Sequence, residues 1–141
     1  MDESGKVLGV DFGEKRIGLA IGVNGWAEPF SIVEVDDPPS LKLRGATREI
    51  TKICQQEKIK AVVLGLPLDS EGQIGPAAKK VKEFGQKLSV ATGLKVTFWD
   101  ETLTSEEALS KMVEAGRPRK KRRRLDDVVA ALILQEYLDS I

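Results

Sequence analysis

KVLGVDFGEKRIGLAIGV, Lys6 to Val23, reads as an apolar strand, a tight turn and a second apolar strand. Lys6–Asp11 makes the first strand and Arg16–Val23 the second, joined by Phe12-Gly13-Glu14-Lys15. Asn24-Gly25 follows at once, and Asn-Gly is the strongest two-residue hairpin signal. A third strand therefore runs back from about Ala27 to Val35, with Pro29 suited to an edge position. Three strands in an antiparallel meander result. Asp11 stands where the first, buried strand runs out. An ionised carboxylate there costs several kcal/mol, on the order of the effective desolvation penalty, unless a cation or hydrogen-bond donors meet it.

Downstream of the meander, strands and helices alternate. Asp36 to Ser40, with Pro38 and Pro39, is a loop. Leu43, Ala46, Ile50, Ile53 and Cys54 recur at helical spacing and predict a helix over Ser40–Lys58. Ala61 to Leu66 is a continuous apolar run typical of a parallel strand covered on both faces, and Pro67 ends it. Pro76 suits the first turn of a second helix with Ala77, Val81, Phe84, Leu88 and Ala91 on its buried face, closed by Thr92-Gly93. Val96–Trp99 is a fifth strand ending at Asp100-Glu101. Thr104 and Glu107 form a capping box opening a helix that Gly116 stops. A last helix runs from about Leu125 to Leu138. The pattern predicts one α/β domain over residues 1–141: a five-stranded mixed sheet, antiparallel meander then parallel strands, flanked by helices.

Composition narrows the chemistry. The chain of 141 residues has 41% hydrophobic and 31% charged residues, no histidine and one cysteine. Histidine triads, most zinc sites and an intramolecular disulfide are thereby excluded. Cys54 falls in a helical pattern and is expected to pack as a small apolar residue. No apolar run approaches the roughly 20 residues of a membrane helix, and the acidic start lacks a signal-peptide core, so a cytoplasmic protein is expected. Formal net charge is zero, yet seven of the eight positions from Arg117 to Arg124 are basic. Overall neutrality conceals a strong local positive field.

Acids gather just beyond three apolar elements: Asp11, Asp100-Glu101 and Asp126-Asp127. The C-terminal ends of strands in such sheets form the usual ligand crevice. Ala130 and Ala131 are small enough to let the last helix approach the sheet and bring its acids to that edge. Carboxylates so gathered repel unless a hard dication binds, and Mg²⁺ or Mn²⁺ takes one or two carboxylates plus phosphate oxygens. Two such ions, about 3.5–4 Å apart, support phosphodiester hydrolysis without histidine.

Four segments resemble one family. DFGEKRIGLAIG (Asp11–Gly22), GLPLDSEGQIGPAA (Gly65–Ala78), WDETLTSEEA (Trp99–Ala108) and DDVVAALILQEYL (Asp126–Leu138) are similar, in order and spacing, to the motifs of the YqgF/RuvX family of RNase H-like proteins. The resemblance implies an RNase H-like fold and a cytoplasmic bacterial hydrolase, a Mg²⁺- or Mn²⁺-dependent nuclease. It implies action on the 5′ end of pre-16S ribosomal RNA in ribosome biogenesis or, alternatively, on Holliday junctions in recombination and repair. Carried over motif by motif, it implies Asp11, Glu101 and Asp127 as catalytic metal ligands. Asp127 is preferred to Asp126 because it lies three residues before Ala130-Ala131. Asp100 and Glu101 point to opposite faces while the strand continues, and Glu101 is preferred. The third motif usually has arginine where this chain has Thr102, which removes a bidentate phosphate ligand.

Nucleic acid, either pre-rRNA or branched DNA, is the expected partner of a monomer or homodimer. Lys15 and Arg16 flank the first turn within reach of a phosphate. Arg119, Lys120, Lys121, Arg122, Arg123 and Arg124 are candidate phosphate contacts that give affinity and salt dependence but little sequence choice. Ser70 and Gln73 are read as plain loop polarity, and Gly65 and Pro67 as shaping a strand exit. Trp26, Phe98 and Trp99 are expected to pack in the core or at an edge. Two other classes fit parts of the pattern: a non-catalytic nucleic-acid-binding module, and a nucleotide-binding protein with an Asp-x-Gly phosphate loop, for which the chain is short.

Overall fold

The structure, a computed structural model, describes residues 5–36, 43–68, 71–101 and 126–141. The predicted helix opening at Thr104, the basic run 117–124, Ser40, Ser70 and Thr102 lie outside the described residues. In chain order the elements are β1 (Lys6–Asp11), β2 (Arg16–Val23), β3 (Trp26–Glu34), α1 (Arg44–Glu57), β4 (Ile59–Leu66), α2 (Pro76–Thr92), β5 (Lys95–Asp100) and α3 (Asp126–Ser140). They build one five-stranded sheet in the order β3-β2-β1-β4-β5. β2 pairs antiparallel with β1 and β3, while β4 runs parallel to both β1 and β5. The meander followed by parallel strands is the predicted architecture.

Local chemistry explains the joints. Asn24 (φ 54°) and Gly25 (φ 84°) both take the left-handed conformation that a two-residue hairpin of matching twist requires. Pro29 is tolerated because β3 is an edge strand. Leu19 faces Ser31 while Ala20 faces Pro29, so Phe30 is the extra residue of a bulge. α1 begins at Arg44, four residues later than the spacing predicts, because Leu43 adopts a left-handed conformation (φ 65°) that no helix can continue through. Lys58 ends it the same way, its N–H donating to the carbonyls of Cys54 and Gln55. In α2 the buried face is Ala78, Val81, Phe84, Gly85 and Leu88; Ala77 and Ala91, predicted inside, are exposed. Gly85 is inside because a β carbon there would lie 2.6 Å from Cζ of Phe98, so α2 packs close against β5.

The sheet has a core on each face. On one, Leu8, Val10, Ile17, Leu19, Val62 and Leu64 meet Ile50 and Cys54 of α1 and Phe84 and Leu88 of α2. Cys54 packs there as a small apolar residue, and burial pushes its thiol up to about 11, so it is inert. On the other face, Val7, Ala20 and Val63 meet Val129, Ala130, Ile133 and Leu134 of α3. α3 is apolar nearly all round because it lies across the sheet, touching β1, β2, β3 and β4. Gln135 clamps it to the hairpin: its Nε2 donates to the Gly25 carbonyl (2.8 Å) and its Oε1 accepts from the Ala27 N–H (2.9 Å). Trp99 donates from Nε1 to Glu136 Oε1 (3.0 Å) and stands edge-on to Tyr137 (5.5 Å), while Phe98 packs against the opposite core. Trp26 departs from the expectation of packing: it begins the edge strand, where little lies beside it, and is 74% exposed.

Glycines on the sheet set how near α3 comes. A β carbon on Gly9 would lie 2.7 Å from Leu134 Cβ, one on Gly22 2.8 Å from Leu138 Cδ1, and one on Gly18 only 1.9 Å from the Asp126 carbonyl oxygen. Alanines at positions 130 and 131 contribute from the helix side, as their size suggests. The sheet's own small residues do more, since backbone meets backbone at Gly18. Gly18→Val should therefore force the start of α3 off the sheet. The expected loss is at least the ~1–3 kcal/mol typical of overpacking, measured by urea denaturation.

Candidate functional site

Parallel β1, β4 and β5 end on one edge of the sheet, and this edge collects the acids. β1 ends at Asp11 and β5 at Asp100, with β4 between them. Side chains alternate along a strand. Val7 belongs to the core beneath α3, so Asp11 faces that side. Trp99 packs there too, whereas Phe98 packs on the other side, which assigns Glu101 rather than Asp100 to the α3 face. Beyond the strand end, the Glu101 N–H still donates to the Leu66 carbonyl (3.2 Å), holding Glu101 against the exit of β4.

Two carboxylates separated by an intervening strand meet because that strand has no side chain between them. A β carbon on Gly65 would lie 2.6 Å from Glu101 Oε2 and 2.9 Å from Ile133 Cδ1. Glu101 reaches across this gap and is 6% exposed. Asp11 is half-buried. Burial first, then the charge and hydrogen bond of Glu101, then the charge of Asp126, push Asp11 from its ordinary 3.8 up to about 9. Glu101 is also raised, chiefly by burial and further by the charge of Asp100, while its hydrogen bond with Asp11 acts the other way. Without a cation the pair shares a proton, as adjoining carboxylates do.

One atom is left over. Glu101 Oε2 is buried and has no hydrogen-bond partner among the described residues. An orphaned buried carboxylate oxygen is costly, of order 1–3 kcal/mol or more for a charged group, and calls for a ligand. The donors present here, hard oxygens beside a second acid, fit a hard divalent cation. Among the described residues, no set of three acids closes to the distances that would hold an ion. The third acid stands at the start of α3. Asp126 accepts from Arg16 Nε through Oδ2 (3.2 Å), and Asp127 accepts the Val128 N–H through Oδ1 (2.9 Å). Gly18, the register partner of Asp11, carries this first turn on its bare backbone.

Comparison with known proteins decides the family. The model of a family described as "RuvX: Holliday junction resolvase" matches residues 5–140. The chain belongs to the RuvX family. Relatives from Syntrophomonas wolfei and Desulforudis audaxviator are 39% and 40% identical, covering 95% and 96% of this chain and 94% of each relative. Both carry the description "Putative pre-16S rRNA nuclease". Among solved structures, Thermus thermophilus RuvC in complex with a Holliday junction substrate superposes with a TM-score of 0.64 at 18% identity, over 96% of this chain and 94% of that one. That likeness establishes the shared RuvC-like, RNase H-type fold.

Within this RuvX-family chain the remaining predicted site residues are placed as follows. Lys15 is exposed in the β1–β2 turn, its carbonyl accepting the Val35 N–H (2.9 Å). Arg16 is tied to the start of α3 through its Nε, which donates to Asp126 Oδ2 (3.2 Å), and its side chain stays partly exposed. Arg119, Lys120, Lys121, Arg122, Arg123 and Arg124 lie outside the described residues. Sequence reasoning did not find the spacer role of Gly65 or the Arg16–Asp126 pair. The first had a signal, a glycine one residue before the end of an otherwise apolar strand. The second had none, because Arg16 and Asp126 are 110 positions apart.

The shared proton has a pH consequence. Asp11 has a folded pKa above its unfolded one, so between about pH 4 and about 9 the native state binds more protons than the unfolded state. In chelator, stability should therefore fall as pH rises through that window. Asp11→Asn should flatten the profile, and Mg²⁺ or Mn²⁺ at pH 8 should raise the wild-type Tm more than that of the variant. Thermal melts across pH, with and without metal, measure all three; a flat wild-type profile would remove the proton-sharing pair.

Proposed function

We propose that this chain is a cytoplasmic, Mg²⁺- or Mn²⁺-dependent nuclease that hydrolyses phosphodiester bonds in structured nucleic acid, with the 5′ end of pre-16S rRNA as its first substrate. The observation that carries this reading is the buried pairing of Asp11 with Glu101 and a Glu101 Oε2 that has no partner among the described residues, which ask for a dication. Relatives across the whole chain that carry a pre-16S rRNA nuclease description support the substrate. No helix among the described residues is long and apolar enough to cross a membrane.

Asp11 and Glu101 would hold the ion, with Asp127 as the third ligand. When bound, a divalent cation supplies the positive charge that makes a water acidic and stabilises the departing oxygen. The chain does the rest. Gly65 keeps the gap between the two carboxylates open, and the parallel strands fix their separation. The first turn of α3, seated on Gly18, aims its dipole and its two acids at the sheet edge. Arg16, by holding Asp126, fixes the position of the neighbouring Asp127. Lys15 and the cationic side chains of residues 119–124 would bind the phosphate backbone.

The second reading, a Holliday junction resolvase, is favoured by the description of the matching family and shares this site. It needs two active sites and hence a homodimer, whereas trimming one RNA end does not. A third, a binding module without activity, predicts salt-sensitive binding and no product.

The test is cleavage of a pre-16S rRNA 5′-end fragment and of a synthetic four-way junction, each with Mg²⁺, Mn²⁺ or chelator. Product is expected only with metal. Asp11→Asn and Glu101→Gln should each lower kcat at least about 100-fold, the scale of losing one electrostatic stabiliser of the transition state. Asp127→Asn should match them, and Asp126→Asn should cost less. Full cleavage by Asp11→Asn would overturn the site; equal loss from both α3 variants would overturn the choice of Asp127.

A further inference from the structure

Asp11 and Phe12 are consecutive but turn to opposite sides of the sheet edge. On the Phe12 side, between the β1–β2 turn, the exit of β4 and the first turns of α2, lies a cleft of about 340 Å³. Phe12, Pro67, Pro76 and Val81 give it an apolar floor. Its size is at the small end of the ligand-pocket range of about 300–1,000 Å³. Phe12 does not wobble freely: its ring packs on Phe84 with centroids 4.8 Å apart and planes 33° apart. The turn that presents it is tight, since a β carbon on Gly13 would lie 2.5 Å from the Arg16 carbonyl oxygen. The rim carries an ion pair between Lys80 of α2 and Glu14 of the turn, both largely in water. Exposed pairs of this kind contribute little and exchange partners readily.

The chemistry suits one occupant. An apolar floor with a fixed aromatic ring is a poor phosphate site and a good site for the flat face of a base, which stacks regardless of sequence. A cation at the rim suits the phosphate next to that base. Phe12 follows Asp11 directly in the chain, so the cleft begins one residue from the acid pair, around the strand edge, within reach of a nucleotide next to a phosphate held at Asp11.

We propose that this cleft is a subsite for the nucleobase flanking the scissile phosphate, with Phe12 as its stacking platform and Lys80 on the adjoining backbone phosphate. The assignment rests on the nuclease reading above. It makes Phe12 a determinant of where along a strand the cut falls, favouring an unstacked nucleotide over one held in a duplex.

The experiment uses the full chain with its metal, after mapping where it cuts. kcat/KM is compared for the intact substrate and for substrates with a single abasic nucleotide on either side of the cut. For the wild type, one of the two abasic substrates should be cut roughly 5- to 150-fold less efficiently, the fold-change corresponding to ~1–3 kcal/mol of base stacking. Two variants probe the cleft: Phe12→Leu removes the ring face, and Ala77→Phe fills the cleft from an exposed helix position and leaves the core untouched. Each should lose activity on the intact substrate and should no longer distinguish it from the abasic one. An abasic penalty that persists in folded Ala77→Phe, or no penalty at either flank in active wild type, overturns the subsite alone. Wild type that cuts nothing overturns the nuclease reading and the subsite with it.

Discussion

The contact of Gly18 with the first peptide of α3 governs the molecule's arrangement. With no side chain at that position, the Asp126 carbonyl comes within the space that any β carbon would occupy. A helix lying that low on a sheet buries apolar surface on nearly its whole circumference, which is why α3 tolerates so uniform an apolar sequence. The same approach delivers two acids and a helix N-terminus to the edge where β1 and β5 end. Gly9 and Gly22 continue the bed along the helix, so its position is set by backbone sterics rather than by adjustable side chains.

Electrostatics at that edge runs against stability in the absence of a cation. Asp11 and Glu101 are brought together by the register of three parallel strands, and each is partly or wholly removed from water. Folding holds the two carboxyl groups in contact because the apolar cores on both faces of the sheet outweigh the cost of burying them side by side. Such strain at a strand edge is where functional sites are found. The Arg16–Asp126 pair illustrates the same economy on a smaller scale. It anchors one of the two acids of the first helical turn and so limits that turn's rotation.

Much of this was legible before the structure. Alternation and short apolar runs identify all five strands, and Asn24-Gly25 fixes the hairpin through its demand for positive φ. Pro29 marks β3 as an edge. The helix limits were less legible: Leu43 sets the start of α1 by its own backbone conformation, which no side-chain pattern announces. The buried face of α2 slips by one residue at its start because Ala77 and Ala78 are chemically alike, and only the fit of Gly85 against Phe98 separates inside from outside. Trp26 shows the limit of arguing from residue type alone, since on this edge strand no neighbour among the described residues covers it.

By itself, the sequence determined the order of the strands along the chain, the kind of each described element and the three places where acids follow or open apolar segments, because periodicity and turn chemistry are local properties. Only the tertiary structure decided that Glu101 and not Asp100 meets Asp11, that Gly65 is the gap through which they meet, and that Arg16 belongs to Asp126. Those outcomes depend on which strand is inserted between β1 and β5 and on how closely α3 settles. Both are set by packing between residues as far apart in the chain as Gly9 and Leu134, where no local pattern carries information.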